Sequence, residues 1–330
     1  MQPFPIFKLP YLVQKCILDE LSITDLCLLS ILSKRAKKLV ISARRSIDGM
    51  TWDLGWVTDP DFRQIDLLRT LKLTVPMRMP VEDARRMERL EEWSLNGQLI
   101  PMYRYGSSWF LGDPRSENHL ELLDMLSRHF TEVFRCQSFN LFTTAKTVSE
   151  DLFVFRITRE FKKLHLEGDR PVAENQLKFA LEQLEVKEFL RVQHNVPGFQ
   201  WNGSLKMEFF SAWKADWLMF EALMNNECKV MDIMGHTFTS SQLNEFVKKW
   251  IAGGFPNLEF CELEAEEELS RTRVLHGIET TPYDPTNRPE EHPRGNEELS
   301  DGVDIRRNDG VYATIDVDYD TLKMWVWNDI

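Results

Sequence analysis

LPYLVQKCILDELSITDLCLLSILSKRAKKL, residues 9–39, decides how the chain begins. Pro10 suits the first turn of a helix, where its missing N–H would have no intrahelical partner. Leu12, Val13, Cys16, Ile17 and Leu21 recur at helical spacing, with Gln14, Lys15, Asp19 and Glu20 on the other side. Ser22 with Asp25 three residues on opens a second helix as a variant capping box. Leu26, Leu28, Leu29 and Leu32 make that helix apolar nearly all round. Ser33 can cap a third helix, whose surface carries Lys34, Arg35, Lys37, Lys38, Arg44 and Arg45. The stretch predicts a three-helix unit. So short a unit buries little surface alone, and its excess apolar positions, Leu18, Cys27 and Leu28 among them, predict an interface beyond it.

The pattern resembles the F-box, the motif that docks substrate receptors onto the Skp-type adaptor of cullin–RING ubiquitin ligases. Leu9-Pro10 stands at the family's opening Leu-Pro, and Ile17-Leu18 and Leu21 match its first-helix hydrophobics. Asp25-Leu26, Leu29, Leu32, Ser33 and Arg35 match the positions that follow without a gap. The resemblance implies an adaptor contact through Leu9, Pro10, Ile17, Leu18, Leu21, Asp25, Leu26 and Leu29. Ala36 departs from the pattern where many F-boxes carry Trp, which removes a bulky contact. An ordinary amphipathic helical cap is the alternative reading of the same residues.

Composition narrows the partners. The 330 residues carry a formal net charge of −12, unevenly placed. Residues 1–50 hold eight Lys/Arg against four Asp/Glu, and the remainder 32 against 48, so a basic head precedes an acidic body. An acidic body argues against nucleic acid, whose phosphates need clustered Lys and Arg. Cys16, Cys27, Cys136, Cys228 and Cys261 are odd in number and lie within apolar runs, as expected of reduced thiols in a cytoplasmic or nuclear protein. No apolar run is long enough for a membrane span and no signal-peptide layout opens the chain.

Beyond the three-helix unit (3–45), residues 46–115 read as a mostly β connecting segment. Leu71, Leu73 and Val75 alternate with polar neighbours, Gln98–Leu111 is a second β candidate, and charged Val81–Leu95 between them reads as a short polar helix. Residues 116–278 alternate helix and strand. Helices are expected around Leu120–Phe130, from about Val148, around Leu177–Leu184, around Trp213–Leu223, and from Thr239 or Ser240 through Trp250, stopped by Gly253-Gly254. Strand positions near 135, 163, 188, 229 and 259 are spaced 28, 25, 41 and 30 residues, the long step holding an irregular insertion. A βα unit at such a period predicts a leucine-rich-repeat-like solenoid with a parallel sheet, in which Leu164, Val230 and Phe260 are buried; a non-repetitive α/β sheet fits the same alternation. Residues 279–302, rich in proline and charge, read as a flexible loop. Residues 303–330 read as a β-hairpin after the Asn308-Asp309-Gly310 turn. The fold class is α+β: the helical unit, then an irregular repeat-like α/β domain, then a small antiparallel β unit.

Leu243–Ile251, Gly253-Gly254, Leu258-Glu259, Asp304–Gly310 and Ala313–Ile315 make this second part resemble the type 2 F-box-associated domain of the nematode receptor group, over roughly residues 160–330. The resemblance implies substrate recruitment, the substrate-receptor subunit of an SCF-type ligase, with ubiquitin transfer left to other subunits. It brings no cofactor, metal or catalytic residue.

Catalytic chemistry has few candidates. His165 and Glu167 share a strand face as a possible acid–base pair, against a plain packed histidine beside a solvated carboxylate. Cys228, Asp232 and His236 are the other grouping. Lys34–Lys38 is an import or phosphate patch or simply the wet face of a helix. Glu262–Glu268, five glutamates in seven positions, is a solvated cap or a dock for a basic substrate. Trp213, Trp217 and Trp250 are expected in the core, as are Trp325 and Trp327, whose shared strand face is the alternative binding surface. An interaction scaffold outside any ligase, or an enzyme at the sheet edge, are the competing functions.

Overall fold

A computed structural model describes residues 6–54, 70–74, 88–95, 98–105, 108–111, 119–144, 148–168, 172–236, 238–265, 267–283 and 302–327. The chain divides into two compact units, residues 1–142 with 151–158, and residues 143–150 with 159–330. The expected divisions at 45/46 and 115/116 therefore fall inside the first unit.

In the first unit three helices follow a 3-10 turn at Ile6–Lys8: α1 (Tyr11–Glu20), α2 (Ile23–Leu32) and α3 (Lys34–Ala43). Their starts are set by local chemistry. Pro10 takes the N-cap position itself, outside the helix. The Ser22 hydroxyl accepts from the Asp25 amide at 3.1 Å and donates to the Asp25 carboxylate at 2.6 Å. Ser33 accepts from the Ala36 amide at 3.1 Å, and α3 ends at Arg44 in the left-handed region, φ 52°.

The rest of the first unit builds onto these helices. β1 (Ser46–Ile47) and β2 (Gly49–Asp53) follow α3 directly, and β2 is flanked on its two sides by parallel strands β3 (Thr70–Thr74) and β8 (Phe139–Thr143). A three-stranded antiparallel sheet, β4 (Glu88–Leu95), β5 (Gln98–Tyr105) and β6 (Ser108–Leu111), precedes the long helix α4 (His119–Val133). After α4, β7 (Arg135–Cys136) pairs parallel with β1. α4 packs along the helical unit: Ser30 and His129 bond at 2.9 Å in the core, and Lys37 meets Glu132 at 2.5 Å. The Trp52 indole donates to Ser127 on α4 at 2.7 Å and stacks on Phe139 at 5.4 Å.

Two expectations are corrected here. Of the polar helix expected over Val81–Leu95, residues 81–87 lie outside the described residues, and Glu88–Leu95 is a strand. It is held by pairing with β5 and by burial of Leu95, which outweigh its charge pattern. The helix expected from Val148 is only a 3-10 turn, Phe153–Arg156, whose three apolar side chains are buried.

The second unit is built on a mixed sheet. β9 (Glu160–Glu167), β10 (Glu185–Gln193), β11 (Phe209–Trp213), β12 (Val230–His236) and β13 (Phe260–Ala265) run parallel in chain order. Between them lie α5 (Glu174–Glu182), α6 (Phe220–Met224) and α7 (Ser240–Ile251), and after them α8 (Arg271–Val274). β14 (Thr281–Pro282), β15 (Val303–Arg306), β16 (Tyr312–Val317) and β17 (Thr321–Trp327) then form an antiparallel set, with β17 closing onto β13. The expected hairpin is thus a larger antiparallel extension of the parallel strands. Of the expected loop, residues 284–301 lie outside the described residues, and Thr281–Pro282 belong to a strand.

Register-equivalent positions Lys163, Phe189, Phe209, Val230 and Phe260 lie 26, 20, 21 and 30 residues apart. The irregular 41-residue step therefore holds an extra strand, β11, where a helix with Trp213 was expected. Only Phe220–Met224 is helical there. Chain-order parallel strands joined by short connections are what stacked βα units produce. The row Leu164, Leu190, Phe210, Met231, Cys261, Met324 is apolar and buried throughout. Strand alternation puts Phe189, Val230 and Phe260 on the opposite face. Leu164 therefore faces away from Val230 and Phe260, and Phe260 is only half-buried.

α7 is the best-specified helix. Thr239 and Gln242 form a full capping box, Leu243, Phe246, Val247 and Trp250 are buried, and Gly253 beyond its end has φ 94°. Asn244 reaches across to the carbonyls of Val274 and His276 at 2.7 and 3.0 Å. Arg307 is buried over the Trp250 ring at 5.3 Å and pairs with Asp309, whose carboxyl is held below its ordinary value by that bond. Asn308 donates to the Ile251 carbonyl at 3.0 Å, so the β15–β16 turn is bolted to the end of α7.

Candidate functional site

The helical unit carries the clearest exposed apolar surface. On α1, Leu12 is 74% exposed and Tyr11 54%, with Val13 exposed beside them, and Leu32 at the end of α2 is 62% exposed. Pro10 and Cys16 are exposed too. These side chains are apolar surface that this unit leaves in water, of the kind a partner would cover.

The scaffold under that face is held by specific bonds. Gln14 donates to the Leu9 carbonyl at 2.8 Å, fixing the entry into α1. The Tyr11 hydroxyl donates to the Ser42 carbonyl at 3.3 Å, and Arg45 donates to the Asp19 carbonyl at 2.7 Å. Arg35 lies over the Phe7 ring at 4.5 Å and donates to the Phe7 carbonyl at 3.3 Å. Together these tie α1 to α3 at both ends. Lys37 and Arg35 are thereby engaged inside the unit, while Lys34 and Lys38 are exposed.

The eight residues expected at a partner contact separate into two groups. Pro10 and Asp25 are exposed, and Leu9, Ile17, Leu21 and Leu29 are half-buried. Leu18 and Leu26 have no exposed surface. In the chain alone these two side chains lie in the core of the helical unit. Cys27 is buried likewise, and the thiol is pushed up to about 12 by burial, then by its neighbour Cys136. The exposed set of Tyr11, Leu12, Val13 and Leu32 was not among the expected contact residues. The signal was available, since an α1 that is apolar at 11, 12, 13, 16, 17, 18 and 21 is too wide to bury every side chain.

The catalytic candidates do not assemble. His165 Nδ1 lies 3.6 Å from Glu167 Oε1, beyond hydrogen-bond range. His165 is buried and stacks on Phe189 at 4.7 Å, and burial pushes its pKa down against the pull of Glu167. Cys228 is buried with its thiol pushed up to about 12, facing Met207 Sδ at 3.8 Å. Asp232 is engaged elsewhere, accepting from Ser211 at 3.0 Å. Among the described residues no three His, Cys, Asp or Glu side chains gather as a metal site would need, and no helix is long and apolar enough to cross a membrane.

The tryptophans sort differently from the expectation. Trp217 and Trp250 are buried, as are Trp325 and Trp327, which pack with Phe260 and Tyr283. Trp213 is 42% exposed at the end of β11 and is not core.

Comparison with known proteins agrees with this layout. The model of the F-box domain matches residues 6–47, and a model described as F-box associated matches residues 200–263. A Caenorhabditis elegans relative, the uncharacterised protein F59B2.9, is 27% identical over 121 residues. The match covers 35% of this chain and spans 28% of that relative's length. No solved structure matches the chain. The first match coincides with α1–α3 and their flanks, the second with β11 to β13 and the helices between them. The chain carries an F-box domain followed by an F-box-associated domain, the pairing of the nematode-type F-box proteins that its sequence resembles.

Proposed function

We propose that this chain is a substrate-recognition subunit of an SCF-type, cullin–RING ubiquitin ligase. The F-box docks a Skp-type adaptor, the second unit recruits a protein substrate, and other subunits carry out the transfer in the cytoplasm or nucleus. The observation that carries this reading is an F-box match lying on a folded three-helix unit whose Tyr11, Leu12, Val13 and Leu32 remain open to solvent. Leu9, Pro10, Ile17, Leu21, Asp25 and Leu29 complete the proposed contact around them.

Interface anchors typically cost about 1–4 kcal/mol when truncated. Leu9→Ala with Pro10→Ala should therefore weaken capture of purified adaptor by roughly tenfold or more, about 1.4 kcal/mol per decade. Far-ultraviolet circular dichroism of the double variant should match the wild type, because neither side chain is buried. Wild-type chain that fails to bind adaptor at micromolar concentration, while folded, would replace the ligase subunit with an interaction scaffold.

A further inference from the structure

One face of the second unit's sheet, largely covered elsewhere, becomes accessible toward the C-terminal ends of the strands. By register and strand alternation, Arg191, Trp213, Asp232, Met234, Glu262 and Glu264 share this face of β10 to β13. It lies opposite the buried row through Phe210 and Met231. Trp213 exposes 42% of its surface from the middle of a sheet, where neighbouring strands would be expected to shelter it. Half-buried Met234 adjoins it in the register. An indole and a thioether side by side on a sheet face are apolar area that a partner would remove from water.

The charges around them are acidic and held in place. Asp232, Glu262 and Glu264 share the face with two cations, Arg191 and Lys323 of β17. Asp232 accepts from the Ser211 hydroxyl at 3.0 Å, and Glu264 from the Gly235 amide at 2.8 Å. Glu262 lies 3.4 Å from Lys323 of β17. Gly235 is required for its part: its φ is 66°, and a Cβ there would sit 3.3 Å from the Lys214 backbone. Exposed Lys214 follows Trp213 in the chain. Fixed carboxylates around an exposed indole form a site for a cation, since the ring face and the negative charges attract the same group.

We propose that this face is a docking surface for the recruited protein, and that it takes a basic segment: an extended peptide that lays a Lys or Arg side chain across Trp213, its charge toward Asp232 and Glu264 and its apolar neighbours on Met234. This rests on the substrate-receptor reading and names the substrate chemistry for it. Acidic segments and nucleic-acid phosphates are repelled by the same three carboxylates.

The test uses the full chain and three fluorescein-labelled peptides of about twelve residues, identical except for four positions filled with Arg, Gln or Glu. Fluorescence anisotropy should show the Arg peptide binding at least tenfold more tightly than the Gln peptide, with the Glu peptide weakest. Raising salt from about 0.05 M to about 0.3 M should erode that preference as screening shortens. Trp213→Ala and Asp232→Asn should each weaken the Arg peptide several-fold with unchanged thermal unfolding, Asn keeping an acceptor for Ser211. Glu121→Gln, which removes an exposed carboxylate from the other unit, should leave binding unchanged. Equal binding of the three peptides overturns the proposal, and so does Arg-peptide binding that responds to Glu121→Gln as strongly as to Asp232→Asn. Adaptor capture measured alongside separates the two claims. Its loss with peptide selectivity intact removes only the ligase reading, and the reverse result removes only this surface.

Discussion

His129 shows how much one side chain contributes to the seam between the F-box helices and α4. Ser30 has one hydroxyl proton, and its geometry gives that proton to the Cys27 carbonyl at 2.7 Å. The 2.9 Å contact then requires His129 Nε2–H to donate to Ser30, which leaves Nδ1 as a bare acceptor with no hydrogen-bond partner among the described residues. Protonating Nδ1 would create a buried N–H with nothing to receive it. Burial therefore lowers the His129 pKa from 6.5 to about 4, assisted by Lys37 and opposed by Glu132. The folded pKa lies below the unfolded one, so the unfolded chain binds more protons between about 6.5 and 4. Stability is then full above about pH 6.5 and falls as pH drops toward 4, by up to about 3 kcal/mol. Urea unfolding at pH 7 and pH 5 should show this loss, and His129→Gln should flatten the slope across that window. No reading of the sequence singled out His129. The contact with Ser30 joins residues 99 apart, and nothing in the local pattern of either helix records it. Leu18 and Leu26, both without exposed surface, pose the same difficulty. Their apolar character was legible, but whether a partner or the chain's own helices covers them is set by packing.

At the scale of elements, what could be read was written in local chemistry. Ser22, Ser33 and Thr239 each cap the helix they precede, because a side-chain oxygen there meets an amide that the helix cannot satisfy. Thr239→Ala should accordingly cost about 1 kcal/mol in thermal or denaturant unfolding. Less was read where two patterns compete. Phe209–Trp213 is a strand, although its aromatics fall into helical spacing with Trp217, Phe220 and Leu223; pairing on both sides decided the matter. The β4–β5 hairpin was missed through a neglected turn signal. Leu95 pairs with Gln98, and the sequence between them reads Asn-Gly, the strongest short hairpin signal a sequence carries. The register also separates the two faces of the sheet. Val230 is buried but shares the face of Trp213, whereas Met231 lies in the buried row with no exposed surface. Met231→Asp should destabilise the second unit by several kcal/mol, of order 3 or more. A soluble variant with unchanged unfolding would contradict the placement of that row.

Over the whole molecule, exposed apolar surface occurs in both units. The basic head offers exposed leucines on α1 and α2, and the acidic body offers a sheet face with an exposed indole. The order of the two domains was legible because each carries its own motif run, in Leu9–Leu39 and in Leu243–Leu258. What the sequence did not disclose is that residues beyond 45 complete the first unit, through β2, α4 and β8. Substitutions at the Ser30–His129 seam should therefore lower adaptor affinity indirectly, by loosening α2, even though neither residue is exposed. Ser30→Ala tests this, with an expected loss smaller than that of any exposed anchor.

Titration calorimetry of the full chain with purified Skp-type adaptor reaches the central claim most directly. Binding at or below micromolar Kd with a negative heat-capacity change is predicted, the signature of apolar burial. Leu12→Asp should weaken it by a hundredfold or so, about 3 kcal/mol. Leu99→Asp, an equally water-facing leucine on β5 at 63% exposure, should leave it unchanged. Absence of binding by the folded wild-type chain, or equal effects of the two substitutions, would contradict the account.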